Sequence, residues 1–422
     1  VRLLRLAALA LASLSACTAA VEGLAADASG TSADVGPGPD ATAPDARPRD
    51  ATAADIGAVA DASAPESDAG LPEDAGAAPC GPVILSETDE DVTSAVIVPN
   101  GTGWRTVRTS VVAGRSRVFE QSLDRVGQFP QVAMSMGVAE RVEVHHGGGG
   151  YALVFGANVL LGPAPERRLN AGEGTVVAYR RHDDGSHTLV RHVRDRLDVE
   201  RVLPDGRVHP EMTIPSRLRE LQAAALSPTE LAVVGTTTAS DMVRVLHVYR
   251  LADAARTFTD TLPPTLLASD ATRVVWHDQR REWLVAHSVQ REGTRYGEAH
   301  LSFYGLGGLL RRPLGPWGAW YGAPIAVVAT NLGYALVWQT AESLGGGSSG
   351  WNDILLAAQV DASNLWSVEV AAPPKLLATG RLPPHVAWNP TTAAVGRLWI
   401  HRVGEFPPGR GRGQLVFDCV GR

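Results

Sequence analysis

Short apolar runs of about five residues recur along most of the chain, each bounded by Gly, Pro, Asn or Asp. The clearest are Gly333-Tyr334-Ala335-Leu336-Val337-Trp338 and Gly150-Tyr151-Ala152-Leu153-Val154-Phe155. Looser copies are Glu230 to Val234, Glu282 to Ala286 and Arg397 to His401, with a weak one from Gly103 to Val107. Runs this short, rich in β-branched and aromatic residues and closed by turn formers, predict strands. Most copies follow another apolar run across a polar turn: Val142 to Val144, Arg273 to Trp276, Ile325 to Ala329 and His385 to Trp388. That arrangement predicts hairpins.

Two further strands are expected after the Tyr334 copy, at Ile354 to Val360 and Trp366 to Val370. Similar offsets after Tyr151 give Thr175 to Arg181 and Thr188 to Val193. Four strands in up-and-down order resemble one blade of a β-propeller. Taking Trp104, Tyr151, Leu231, Trp283, Tyr334 and Leu398 as equivalent gives steps of 47, 80, 52, 51 and 64 residues. A four-stranded blade with its loops takes about 40–50 residues. The expectation is an all-β propeller of six blades, the step of 80 holding an extra hairpin over Val199 to Ile214 that turns at Pro204-Asp205-Gly206. Seven blades is the alternative.

The amino-terminal region has a different pattern. Arg2 and Arg5 flank an apolar run from Leu6 to Leu14, and small residues lead to Cys17. A basic start, a brief apolar core and a small-residue exit describe a secretory signal, and the run is shorter than the ~20 residues that span a bilayer. Leu14-Ser15-Ala16-Cys17 resembles the lipobox of bacterial lipoproteins. The resemblance implies a signal peptide over 1–16, lipidation of Cys17 and attachment to the cell envelope. Two or three acyl chains anchor stably where one does so marginally. Thr18, where aspartate would mark inner-membrane retention in enteric bacteria, implies the outer membrane of a Gram-negative bacterium. Residues 17–79 then form a linker dominated by Ala, Asp, Pro, Ser, Thr and Gly, with no aromatic residue. Such a tract cannot bury enough apolar surface to offset its conformational entropy, so an extended, disordered tether is expected.

The folded region is therefore 80–422, and it retains two of the three cysteines. Cys80 opens it and Cys419 lies in its last predicted strand. The last unit supplies Val386 to Trp388, Leu398 to His401 and Gln414 to Asp418, one strand short of four; Pro82 to Ser86 is the expected fourth. This pairing brings the thiols together, and an oxidising compartment allows a Cys80–Cys419 disulfide to persist. Two cysteines without histidines at ligand spacing make a poor zinc site, so no metal or cofactor is expected.

The net charge of −7 falls largely in the linker, which leaves the β-rich part nearly balanced and gives no reason to expect a nucleic-acid partner. His145-His146 and His277-Asp278 occupy equivalent turns, with Asn331 and Asn389 in two others. His146, His277, Asp278, Asn331 and Asn389 are thus candidates to ring one mouth of a channel, although turn geometry alone also selects such residues. In His182-Asp183-Asp184-Gly185-Ser186-His187 the Asp184-Gly185 pair predicts a two-residue hairpin turn, not a calcium loop. No His-Glu-x-x-His or Cys-x-x-Cys occurs, and the Gly-Gly-Ser-Ser-Gly of 346–350 falls within a glycine-rich tract expected as a flexible loop, not as a strand-to-helix turn. The expectation is a lipid-anchored binding or interaction module for a protein or glycan ligand, with no catalytic residue assigned. The alternative is a polysaccharide-active hydrolase or lyase that uses acids in the channel.

Overall fold

The computed structural model describes residues 80–421 except 87–89, 125–133, 164, 171, 238–242, 264–271, 291–295, 306–307, 310–313, 321–324, 332, 344–350, 362–364, 371–383 and 404–411. The expected signal peptide over 1–16, Cys17 and the expected linker to residue 79 lie outside the described residues, as does the glycine-rich tract 345–350.

The described residues form 29 strands in seven antiparallel sheets. Strand β1 (Cys80–Ile84) is set apart from its sequence neighbours, and the first complete sheet is β2 (Asp91–Asn100), β3 (Gly103–Val112), β4 (Arg115–Leu123) and β5 (Met134–Gly137). The second comprises β6 (Val142–Gly147), β7 (Gly150–Phe155), β8 (Asn158–Gly162) and β9 (Arg167–Asn170). The third is β10 (Thr175–Arg181), β11 (His187–Val193), β12 (Arg196–Val202) and β13 (Val208–Pro215). The fourth is β14 (Leu218–Leu226), β15 (Glu230–Thr237), β16 (Arg244–Arg250) and β17 (Arg256–Thr261). The fifth is β18 (Thr272–His277), β19 (Glu282–Gln290) and β20 (Tyr296–Gly305), with both β21 (Gly308–Leu309) and β22 (Leu314–Trp320) paired to β20. The sixth is β23 (Ile325–Ala329), β24 (Gly333–Ser343), β25 (Trp351–Asp361) and β26 (Leu365–Val370). In the last, β27 (His385–Asn389), β28 (Ala394–Val403) and β29 (Arg412–Gly421) are joined by β1, in the order β1-β29-β28-β27.

Repeated four-strand meanders of this kind resemble propeller blades. The expected assignment of the Tyr151 unit needs correction. Its third and fourth strands are β8 and β9, whereas Thr175 to Arg181 and Thr188 to Val193 open a separate sheet. Val199 to Ile214 is not an added hairpin but lies in the two outer strands of that sheet. His187 occupies the place held by Tyr151 and Tyr334 at the start of the second strand, and its imidazole stacks on Tyr179 with centroids 5.8 Å apart. Thr188 to Val193, expected as the outer strand of the Tyr151 unit, is instead the second strand of its own sheet.

The last sheet forms as the missing strand required: β1 pairs with β29, and Cys80 faces Cys419 in the register. The last repeat copy is displaced, however, because the β27–β28 turn brings Trp388 opposite Val395 rather than Leu398.

The core is distributed between sheets. Trp104, Trp283, Trp338 and Trp399 are among the largest fully buried side chains. Trp104 of the first sheet meets Phe417 of the last, with ring centroids 6.1 Å apart. Buried ion pairs stiffen this region: Glu90 accepts from Arg108 Nε at 2.9 Å and Nη2 at 3.0 Å, and Asp418 accepts from Arg397 twice at 2.7 Å. The first strand of each sheet packs against the first strand of the next, in the sequence β2, β6, β10, β14, β18, β23, β27, and β27 packs against β2.

Candidate functional site

Those seven first strands line one cavity of about 860 Å³. Because the side chains of a strand alternate between faces, only some residues of each strand bring polar atoms to the wall. In β6 the residues Val142 and Val144 join the apolar layer against the first sheet. His146 shares their parity, and its ring lies 5.9 Å from that of His385 of β27. His145 points the other way and hydrogen-bonds the backbone of Val176 in β10. Its Nε2 has no partner, so the bond runs through Nδ1, which leaves Nε2 as an acceptor. His146 Nε2 also lacks a partner. The Ile97 amide donates to His385 Nδ1 at 3.3 Å, which fixes the proton of that ring on Nε2.

The three imidazoles keep part of their surface open on the cavity wall, yet protein surrounds them closely enough for desolvation to dominate their titration. Burial, then the Arg273 guanidinium, holds His145 down to about 4. Burial, then His145, holds His146 at about 4. His385 lies well below its ordinary value, through burial first and then the charges of His146, Arg273 and His145. All three are neutral at pH 7, and the wall presents imidazole donors and acceptors beside the Arg273 cation and the Gln222 amide. Among the described residues, no group of three or more His, Cys, Asp or Glu is arranged to hold a metal ion.

A second set of polar groups stands where the first strands turn back. Asp278 accepts from Arg180 Nη2 at 2.6 Å and from Trp276 Nε1 at 2.9 Å. Arg180 belongs to the third sheet and Asp278 to the fifth, so the ion pair passes over the intervening sheet. Arg180 Nε and Nη1 are buried without a partner. The tract Gly147 to Gly150 makes room for this layer. Gly148 has φ +59°, and a Cβ there would collide with the Arg181 carbonyl.

Of the residues singled out from sequence, His146, His277, Asp278 and Asn331 line the cavity. Asn389 does not share that role. Its Nδ2 donates to the carbonyls of Gly101 at 3.1 Å and Gly103 at 2.8 Å, and its Oδ1 accepts from the Thr391 amide, so it ties the last sheet to the first. His277 is wedged edge-on against Tyr334 at 5.2 Å, and its Nδ1 accepts from the Arg280 amide at 3.4 Å. The two-residue Asp184-Gly185 turn expected from sequence is instead a three-residue loop, Asp183 to Gly185: the His182 amide donates to the Ser186 carbonyl at 2.9 Å and the Gly185 amide to the His182 carbonyl at 3.0 Å, with Gly185 at φ +75°. The ligand list from sequence lacked His385, Arg273 and Gln222. The available signal was a polar residue near the start of an apolar first strand, the end opposite the turns that drew notice.

No protein-family model and no curated protein matches the sequence. Solved structures with similar folds include the β-propeller domain of the trilobed protease from Pyrococcus furiosus, at 9% identity and a TM-score of 0.36, covering 75% of this chain and 80% of that one. A chain from a complex of S. cerevisiae Dbp5 bound to Nup159, Gle1, IP6 and ADP matches at 10% identity and a TM-score of 0.42, over 81% of this chain and 94% of that one. A chain of a nidogen/laminin complex matches at 10% identity and a TM-score of 0.32, over 55% and 83%.

Proposed function

We propose that the protein is a lipid-anchored binding module outside the cytoplasm, a seven-bladed propeller that receives a small polar ligand or a projecting part of a protein or glycan in its axial cavity. The observation that carries the reading is the convergence of all seven first strands on one cavity whose wall bears imidazoles with unpartnered nitrogens. Cavities of about 300–1,000 Å³ with a few placed polar groups suit small ligands. Ring closure through β1 and β29, with a Cys80–Cys419 disulfide fastening it, is supported by the register that sets those cysteines opposite each other. Lipidation of Cys17 rests on the lipobox resemblance alone, and residence on the outer membrane on Thr18 beside it.

The binding test uses protein purified from its own envelope. Small molecules released from wild type and from His385→Phe, which fills the cavity, are compared by mass spectrometry. A molecule carried by wild type and lost from the variant supports the reading; none carried, or equal amounts in both, rejects it. Membrane fractionation of Cys17→Ala tests the anchor separately, and unchanged fractionation would remove it.

A polysaccharide-active hydrolase or lyase is the second reading, favoured by the gathering of ionisable groups in a concave site. Against it, two of the three carboxylates lining the cavity among the described residues are engaged, Asp278 by Arg180 and Trp276 and Glu143 by Arg141 at 3.1 Å, which leaves Glu140. Glycoside hydrolysis ordinarily needs two carboxyl groups flanking the bond. Polysaccharide cleavage by wild type that is abolished in His146→Gln would reverse the order of the two readings.

A further inference from the structure

Between the fourth and fifth sheets lies a further polar cluster, joined to the cavity wall by the Thr272 hydroxyl, which donates to Gln222 Oε1 at 3.4 Å. Thr272, His287 and His300 are direct register partners across β18, β19 and β20, which places them in one row on one face of the sheet. That face bears Val274, Trp276, Trp283 and Val285 and packs on Ala232, Val234 and Leu246 of the fourth sheet. Arg244 has the same parity as Leu246 and stands opposite the row, donating from Nη2 to Thr272 Oγ1.

Arg244 is 2% exposed and His287 1% exposed. Arg244 Nε and Nη1 have no hydrogen-bond partner, and neither has either nitrogen of His287. No carboxylate forms an ion pair with Arg244 among the described residues; the neighbouring Tyr304 donates to Asp260 at 3.0 Å. A guanidinium cannot shed its charge in a protein. Burial draws Arg244 down only to about 10, still cationic at neutral pH. Water could satisfy the hydrogen bonds but would leave the buried charge uncompensated, which is the costly part.

We propose that this cluster is a binding site for a small monovalent inorganic anion of the chloride class, held by Arg244 with His287 and located between the fourth and fifth sheets. A single negative charge cancels the guanidinium, and a spherical ion imposes no fixed direction on the unpartnered nitrogens of Arg244 and His287. The apolar walls formed by Val274, Val285 and Leu246 disfavour a larger or more highly charged oxyanion, whose further oxygens would lack donors.

The test is the stability of the intact protein at constant ionic strength as chloride replaces gluconate. An anion that binds only the folded state raises the folding constant by RT ln(1 + [L]/Kd). Above the dissociation constant, the wild-type folding constant should therefore rise about tenfold per tenfold rise in chloride. Arg244→Met, which keeps the length of the side chain and removes the charge, should show no such slope. A flat wild-type response, or an equal slope in the variant, overturns the site. Should Arg244→Met fail to fold, crystals of wild type grown in bromide decide the matter: an anomalous peak beside Arg244 and His287 supports the proposal, and its absence overturns it.

Discussion

Trp104→Ala and Phe417→Ala, made singly and together, test whether the first and last sheets are packed as one interface. Trp104 is 0% exposed, Phe417 is 0% exposed, and 313 residues of chain separate two rings whose centroids are 6.1 Å apart. Truncating a buried aromatic to alanine costs about 3–5 kcal/mol. Unfolding entropy is about 2.1 cal/mol/K per residue. For a folded region of roughly 340 residues, each single variant should then lower Tm by about 4–7 °C. The discriminating quantity is the coupling. Direct aromatic contact contributes about 0.5–1.5 kcal/mol beyond area, so the double variant should lose less than the sum of the singles by that amount. Urea denaturation of the four proteins measures it. Additivity within ~0.3 kcal/mol would mean that the two sheets do not share an interface, and closure of the ring would fall with it.

Three further outcomes are expected. An unfolded histidine titrates near 6.5, whereas His145 and His146 are held at about 4 in the fold. The unfolded chain therefore binds more protons below pH 6.5, and stability falls between about 6.5 and about 4. His145→Gln should make that fall shallower by on the order of 1 kcal/mol per pH unit, and an unchanged pH–stability profile would contradict the buried placement. Gly148→Ala should cost about 1–2 kcal/mol for its left-handed backbone alone, with the Arg181 carbonyl adding to it. Gly149→Ala, with φ +70° and nothing within 4 Å of an added Cβ, should cost less, and the reverse ranking in denaturation experiments would be wrong for this hairpin. Cys419→Ser should remove the constraint on a loop spanning 80 to 419, worth up to ~6 kcal/mol in the chain-entropy account. Free-thiol labelling of the wild-type folded region would disprove the bridge.

The strand content of the chain, its hairpins and the need for a fourth strand from the other end of the folded region were legible because each depends on local pattern. Apolar runs bounded by turn formers specify strands wherever they occur, and Gly185, at φ +75°, marks a turn at its place, though one residue longer than the Asp-Gly pair suggests. Counting the units failed at the Tyr151 sheet, whose closing strands β8 and β9 are short and, in β9, nearly without apolar residues, so the two strands after them took their place. His187 holds an aromatic position because Tyr179 donates or accepts at its Nδ1, 2.8 Å away, and the interval of 80 residues from Tyr151 to Leu231 in fact divides there into 36 and 44. The sequence alone settled the antiparallel strand alphabet and its turns, since backbone preference and alternation act over a few residues. Which side chains share the cavity was decided only by tertiary structure. His146 and His385 lie 239 positions apart, and their meeting depends on how seven sheets pack around one space rather than on any local preference.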